Sequence, residues 1–154
     1  MSGASRAHNL IAGNIYALLR SHLRGSSCRT FISDMKVKLT TAQKNNDLFY
    51  YPDVVVTCNQ EDDRKFFLTS PCSIFEVLSP STETTDRREK RLNYQNSDSL
   101  QEYILVSQDK IQVEIYRRDD RDEWLVKSLS QGDILELRSI DFKIAITDIY
   151  EDVF

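Results

Sequence analysis

Two carboxylates stand where a β-sheet has little use for them. Asp53 follows Pro52 and opens the apolar run Val54–Val56, while Glu76 lies inside a second run, Ile74-Phe75-Glu76-Val77-Leu78. Glutamate is depleted in strands and almost never fully buried unless it is paired. An isolated ionised carboxylate inside such a sheet costs several kcal/mol, so Glu76 either faces solvent or has a cation beside it. Brought together on adjacent strands, the two acids repel unless a divalent ion sits between them, and oxygen ligands suit Mg²⁺ or Mn²⁺. The structural alternative pairs Glu76 with an arginine and leaves Asp53 to cap a turn, because ion pairs of that kind are common.

A third element follows Glu76. The run Asp86-Arg87-Arg88-Glu89-Lys90-Arg91 packs four basic and two acidic residues into six positions. On a helix, Asp86, Lys90 and Tyr94 fall at i, i+4 and i+8 and share one face. Read alone, this is a solvated surface helix whose Asp86–Lys90 pair contributes only tenths of a kcal/mol. Read with the two acids, it brings a lysine to a metal site and arginines to the phosphates of a polyanion. Arg87, Arg88 and Arg91 cannot all face the same way on one helix.

These residues need a frame to hold them. Ser5–Arg24 reads as a helix: Leu10, Ile11, Ile15, Leu18 and Leu19 keep the spacing of a buried stripe, His8 and His22 flank it, and Gly25 is placed to end it. Arg29–Leu39 alternates, with Phe31, Met35, Val37 and Leu39 on one side, and reads as one half-buried strand. Pro52 suits the first residue of a strand, where no ladder donor is lost. Val54–Val56 and Ser73–Leu78 are nearly continuous apolar runs of the kind buried on both faces. Asn59–Lys65 reads as a loop. Glu83–Gln95 reads as a polar helix beginning at Thr82 or at Asp86, where Glu89 completes a capping box. Glu102–Ser107, Lys110–Arg117, Trp124–Leu129 and Ile134–Leu137 read as short strands, and Ile146–Val153 as a closing helix. Helix, strands, helix, strands within one domain (1–154) predict an α/β sandwich with a mixed sheet flanked by helices.

Composition narrows the classes. The chain has 154 residues, 40% hydrophobic and 10% aromatic, with a net charge of −4, which suits one packed domain and argues against disorder. Only 4 glycines and 3 prolines exclude collagen-like and linker-rich designs. No apolar run approaches the ~20 residues of a membrane span, and a signal peptide's apolar stretch is missing, so a soluble cytoplasmic protein is expected. Cys28, Cys58 and Cys72 lack zinc-knuckle spacing and are expected to be buried reduced thiols. A mildly acidic chain has no overall attraction for nucleic acid, so any such attraction must be local.

Together the motifs are informative. Pro-Asp at a strand start, followed by Glu on the next strand, resembles the PD-(D/E)xK nuclease superfamily, although the residue two after the glutamate is Leu78 rather than lysine. The run Phe75-Glu76-Val77-Leu78-Ser79-Pro80-Ser81-Thr82 with Asp86, Lys90 and Tyr94 resembles the Uma-type endonucleases (the Uma-two family), in which the lysine sits on the following helix. His8, Ile11, Asn14 and Leu18, and Ser33-Asp34-Met35-Lys36-Val37, share that likeness, which runs from about His8 to Ser107. Members of that family usually carry a further helix and strand before the His8-type helix. By that comparison this chain begins late, leaving a sheet edge that a homodimer would cover.

The resemblance implies a restriction-endonuclease-like fold and metal-dependent hydrolysis of nucleic-acid phosphodiesters, with DNA as the expected partner. It assigns Asp53, Glu76 and Lys90 as catalytic, with Asp53, Glu76 and the Val77 carbonyl holding Mg²⁺ or Mn²⁺. Arg87, Arg88 and Arg91 would meet the nucleic-acid backbone, and His8, Asp86 and Tyr94 would stand behind them. The rival reading is a catalytically silent nuclease-fold module that binds nucleic acid or protein. Dependence on metal, Asp53 and Glu76 separates the two, since fold does not fix function.

Overall fold

The computed structural model describes residues 4–40, 47–79 and 84–154, with side chains of the last segment from Arg87 onward. Thr82 and the side chain of Asp86 lie outside the described residues. Helix α1 spans Arg6–Leu23. Its start is set by Ser5, whose hydroxyl accepts the His8 N–H at 3.0 Å. It ends where Gly25 takes φ +80°, a conformation that costs glycine little. The stripe Ile11, Ile15, Leu19 and Leu23 is buried along its length.

The central sheet has six strands: β1 (Arg29–Ile32), β4 (Val54–Thr57), β6 (Pro71–Leu78), β7 (Glu102–Ser107), β8 (Val113–Arg118) and β9 (Trp124–Leu129), in that spatial order. Within it, β6 and β7 run parallel and every other neighbouring pair is antiparallel. Helix α2 (Thr84–Gln95) makes the crossover that the parallel pair requires. A smaller sheet, β3 (Asp47–Tyr50), β2 (Lys36–Thr40) and β5 (Phe67–Leu68), covers one face. The hairpin β10 (Ile134–Leu137) and β11 (Phe142–Ala145), joined by a 3₁₀ turn at Arg138–Ile140, and the short helix α3 (Ile146–Ile149) complete the chain.

Two apolar layers follow from strand parity. Val54, Val56, Phe75, Val77, Ile104 and Val106 pack toward α1, while Val55, Ile74, Tyr103 and Leu105 pack with Val37, Leu39, Leu68 and Tyr94. This double coverage explains why β4 and β6 read as continuous apolar runs.

Two expectations need correction. Arg29–Leu39 is two strands in two sheets. Ser33 adopts φ 57° and donates its N–H to the Asp53 carbonyl at 2.9 Å, breaking the strand. The alternation survives the break because Phe31, Met35, Val37 and Leu39 all pack into the same layer. Nor are all three cysteines thiols: Cys28 and Cys58 form a disulfide. The β1–β4 register pairs Arg29 with Thr57, so the next positions outward bring the two cysteines face to face with Cα atoms 4.0 Å apart. Cys72 remains a thiol, its Sγ 3.8 Å from that of Cys58, and burial pushes its pKa up to about 11. Denatured without reductant, the protein should therefore titrate one thiol, and three after reduction. Reduction should also lower the unfolding free energy by about 2–4 kcal/mol; three thiols before reduction would refute the crosslink.

Candidate active site

The two acids meet because of register. Val54 pairs with Phe75, so Asp53 and Glu76 are the next positions along antiparallel β4 and β6. They share the parity of Val55 and Ile74 and face the α2 side. A cleft of about 220 Å³ opens there, lined among others by Tyr51, Asp53, Glu76, Val77, Arg87 and Lys90. It lies toward the carboxyl end of β6, beside the crossover helix, where open α/β sheets commonly place their ligands.

Asp53 is held on both sides. Its Oδ2 accepts the Val77 N–H at 2.7 Å, and its Oδ1 lies 3.1 Å from Nε2 of His8, which α1 delivers from its first turns. The hydrogen bond to Asp53 raises the His8 pKa, against burial, with further help from the charges of Asp53 and Glu76.

Glu76 is 8% exposed, and its Oε1 is buried without a hydrogen-bond partner. The Lys90 ammonium stands 3.8 Å from that oxygen, near enough for attraction and too far for a hydrogen bond. Burial drives the Glu76 pKa up to about 8; Lys90 opposes the shift and Asp53 adds to it. Glu102, also buried, provides the contrast. It accepts the Ser73 hydroxyl at 2.6 Å, the Ser139 hydroxyl at 2.5 Å and the Ser139 N–H at 3.3 Å. One buried glutamate is saturated and structural; the other keeps acceptor capacity directed at an acid and a lysine.

Two adjacent carboxylates with an unsatisfied oxygen fit a hard divalent cation, which prefers oxygen donors and retains several waters. Among the described residues no group of three or more His, Cys, Asp and Glu side chains is set to hold a metal ion. A site here would consequently rest on two carboxylates, a main-chain carbonyl and water or phosphate oxygens.

Residues 1–147 match the Uma2 family, described as "Putative restriction endonuclease". The chain belongs to the Uma2 family. A relative described as uncharacterized protein slr1290 of Synechocystis sp. is 37% identical over 151 residues, covering 97% of this chain and 77% of its own. A second Synechocystis protein, uncharacterized protein sll1609, is 31% identical over 147 residues, covering 94% and 80%. In fold, the chain resembles the crystal structure of a putative nuclease belonging to DUF820 from Anabaena variabilis, with a TM-score of 0.78 at 14% identity, over 99% of this chain and 85% of that one. The architecture is thus the nuclease-like mixed α/β fold expected from the sequence. No described helix is long and apolar enough to cross a membrane.

The remaining predicted site residues of this Uma2 protein fall in different places. Helix α2 begins at Thr84, between the two predicted starts. Arg87 lines the cleft, Arg88 is exposed, and Arg91 lies over the Tyr116 ring at 4.6 Å, away from the cleft lining. Tyr94, one turn after Lys90, is wholly buried with its hydroxyl unpartnered, and burial together with the charge of Glu76 raises its pKa. The sequence reading missed Tyr50, whose ring lies 5.5 Å from the Lys90 ammonium, and Tyr51, which forms part of the cleft wall. Their position just before Pro52-Asp53 was the available signal, but nothing in spacing shows which helix a strand end will meet.

Proposed function

We propose that this chain is a metal-dependent endonuclease that hydrolyses nucleic-acid phosphodiesters, with DNA as the first substrate to test. The observation that carries the reading is buried Glu76 beside half-buried Asp53, with Lys90 3.8 Å from an oxygen of Glu76 that no hydrogen bond satisfies. Asp53, Glu76 and the Val77 carbonyl would hold Mg²⁺ or Mn²⁺. Bound there, such an ion polarises a phosphoryl oxygen and supplies a water nucleophile at neutral pH.

The protein's own groups then have separable tasks. His8 and the Val77 N–H fix the orientation of Asp53. Lys90, on the rim of the cleft, offsets the negative charge that builds on phosphorus-bound oxygens as the water oxygen adds and the ester P–O bond breaks. Arg87, in the cleft lining, and the exposed Arg88 would meet flanking phosphates; Arg91 lies over the Tyr116 ring.

Supercoiled plasmid, single-stranded DNA and RNA, each incubated with Mg²⁺, Mn²⁺ or EDTA, test this reading. Cleavage is expected with either metal and to vanish in EDTA. Lys90→Ala should cut roughly 10²–10³-fold more slowly, the loss typical of removing one donor to a developing oxyanion. Equal rates for Lys90→Ala and the parent, or cutting in EDTA, would remove the assignment and favour a silent nuclease-fold module.

A further inference from the structure

The solvent face of the small sheet β3-β2-β5 has an unusual composition. Strand parity sends Val37, Leu39, Leu48, Tyr50 and Leu68 inward to the core, so the outward set is Lys36, Lys38 and Thr40 on β2, Asp47 and Phe49 on β3 and Phe67 on β5, with Tyr51 continuing the Phe49 side just past the strand end. Registers place Lys38 opposite Phe49 and Lys36 opposite Phe67. The Lys36 ammonium lies 4.9 Å from the Phe49 ring centre, the Lys38 ammonium 5.4 Å from that of Phe67, and the two rings meet edge to face at 6.1 Å across the middle strand. Phe49 is 45% exposed and Tyr51 54%. A sheet with one face in water normally carries polar residues there. The core already has its inward residues, so folding places no demand for rings on the outside.

We propose that this face is a stacking platform for an unpaired nucleic-acid strand, which runs from it past Tyr51 into the cleft. Rings offer π-faces to bases of any sequence, and lysines interleaved with them meet the phosphates between. A duplex keeps its bases stacked on one another and shows this face little beyond charge. The patch is also only modestly cationic, since Asp47 sits 3.4 Å from Lys38. Stacking must therefore carry more of the affinity than charge. Continuity with the cleft comes from Tyr51, which borders Asp53, Glu76 and Lys90 in one lining. The path into the cleft rests on the nuclease reading; the platform itself does not.

The test is fluorescence anisotropy of the full chain in EDTA, with a labelled 20-nucleotide oligo-dT and a 20-base-pair duplex. The single strand is expected to bind at least about ten-fold tighter than the duplex. Its dependence of log K on log salt should be shallow, with a slope of about −1 to −2 for two lysine contacts. Phe49→Ala should weaken oligo-dT binding about five- to hundred-fold, the usual loss of one stacked base. Phe49→Leu, which keeps apolar bulk over Phe67 and lacks a π-face, should lose nearly as much. Phe154→Ala removes an exposed ring elsewhere and should lose nothing. Equal affinity for duplex and single strand, or full affinity in Phe49→Leu, overturns the platform. So does sedimentation showing that Phe49 instead mediates self-association, with oligonucleotide affinity unchanged. Binding without any metal-dependent cleavage would retain the platform and sink the nuclease reading; cleavage without single-strand binding would do the reverse.

Discussion

Glu76→Gln should make the metal-free protein more stable at pH 8 while removing its cleavage activity. The carboxyl of Glu76 is raised from 4.5 to about 8, first by burial and then by Asp53, with Lys90 only partly opposing. Below about pH 4.5 both folded and unfolded chains hold the proton, and the site costs nothing. Between there and about pH 8 the folded chain retains a proton that the unfolded chain has released, so stability falls as pH rises. Above about pH 8 the whole contribution is lost. Glutamine fills the same space, never ionises and escapes this slope. The variant and the parent should therefore melt together near pH 4.5 and diverge toward pH 8–9, by a few kcal/mol, or roughly 5 °C or more for a chain of this size. Added Mg²⁺ should raise the melting temperature of the parent, because a ligand that binds only the folded state stabilises it, and should leave Glu76→Gln nearly unmoved. A gap independent of pH, or a variant less stable than the parent at pH 8, would mean that Glu76 is not the strained acid described above. Structural salt bridges behave in the opposite way: breaking one destabilises.

How much of this was legible beforehand depended on the range of the interaction. Glu76 announced itself because a glutamate inside Ile74–Leu78 violates the local rule for strands, and such violations concentrate at functional sites. Helix α1 was readable from its stripe and its flanking Ser5 and Gly25, all within one element. The His8–Asp53 contact was not, because it joins residues 45 positions apart through the packing of α1 beside β4. The same holds for the disulfide: Cys28 and Cys58 are partners only once the β1–β4 register is known, and no spacing along the chain encodes that register. The break at Ser33 escaped notice for a different reason. Alternation continued across it, so the pattern that signals a strand gave no sign that the chain had changed sheets. Strand β11 was missed because Phe142–Ala145 is too short to stand out and is defined by its pairing with β10. Local chemistry was visible in sequence; pairings set by topology were not.

Asp53→Asn offers the sharpest separation of a catalytic carboxylate from a structural cap. Asparagine has nearly the same shape, and its carbonyl oxygen can still accept the Val77 N–H that Asp53 takes at 2.7 Å. If capping were all that Asp53 did, cleavage would survive. If it holds a metal ion, loss of the charge should slow cleavage by about 10²–10⁴-fold, corresponding to several kcal/mol of charge stabilisation. His8 supplies a second readout that needs no substrate. Its pKa is raised chiefly by the hydrogen bond to Asp53, so in EDTA its imidazole resonances should titrate at lower pH in the variant. With only 2 histidines in the chain, one His22→Gln spectrum completes the assignment. The raised pKa has a definite sign in stability. Its contribution is present below the unfolded value of 6.5 and lost as pH rises through the folded one, so Asp53→Asn should cost most stability near pH 6 and least near pH 9. That slope has the same sign as the one expected of Glu76, and the Glu76 slope should itself flatten in the variant, because its pKa falls once the neighbouring charge is gone. A variant that cuts like the parent while its His8 titration shifts would leave Asp53 as a positioning residue for the helix. A variant that loses cutting with the fold and the Val77 contact intact would place the charge of Asp53 in the chemistry.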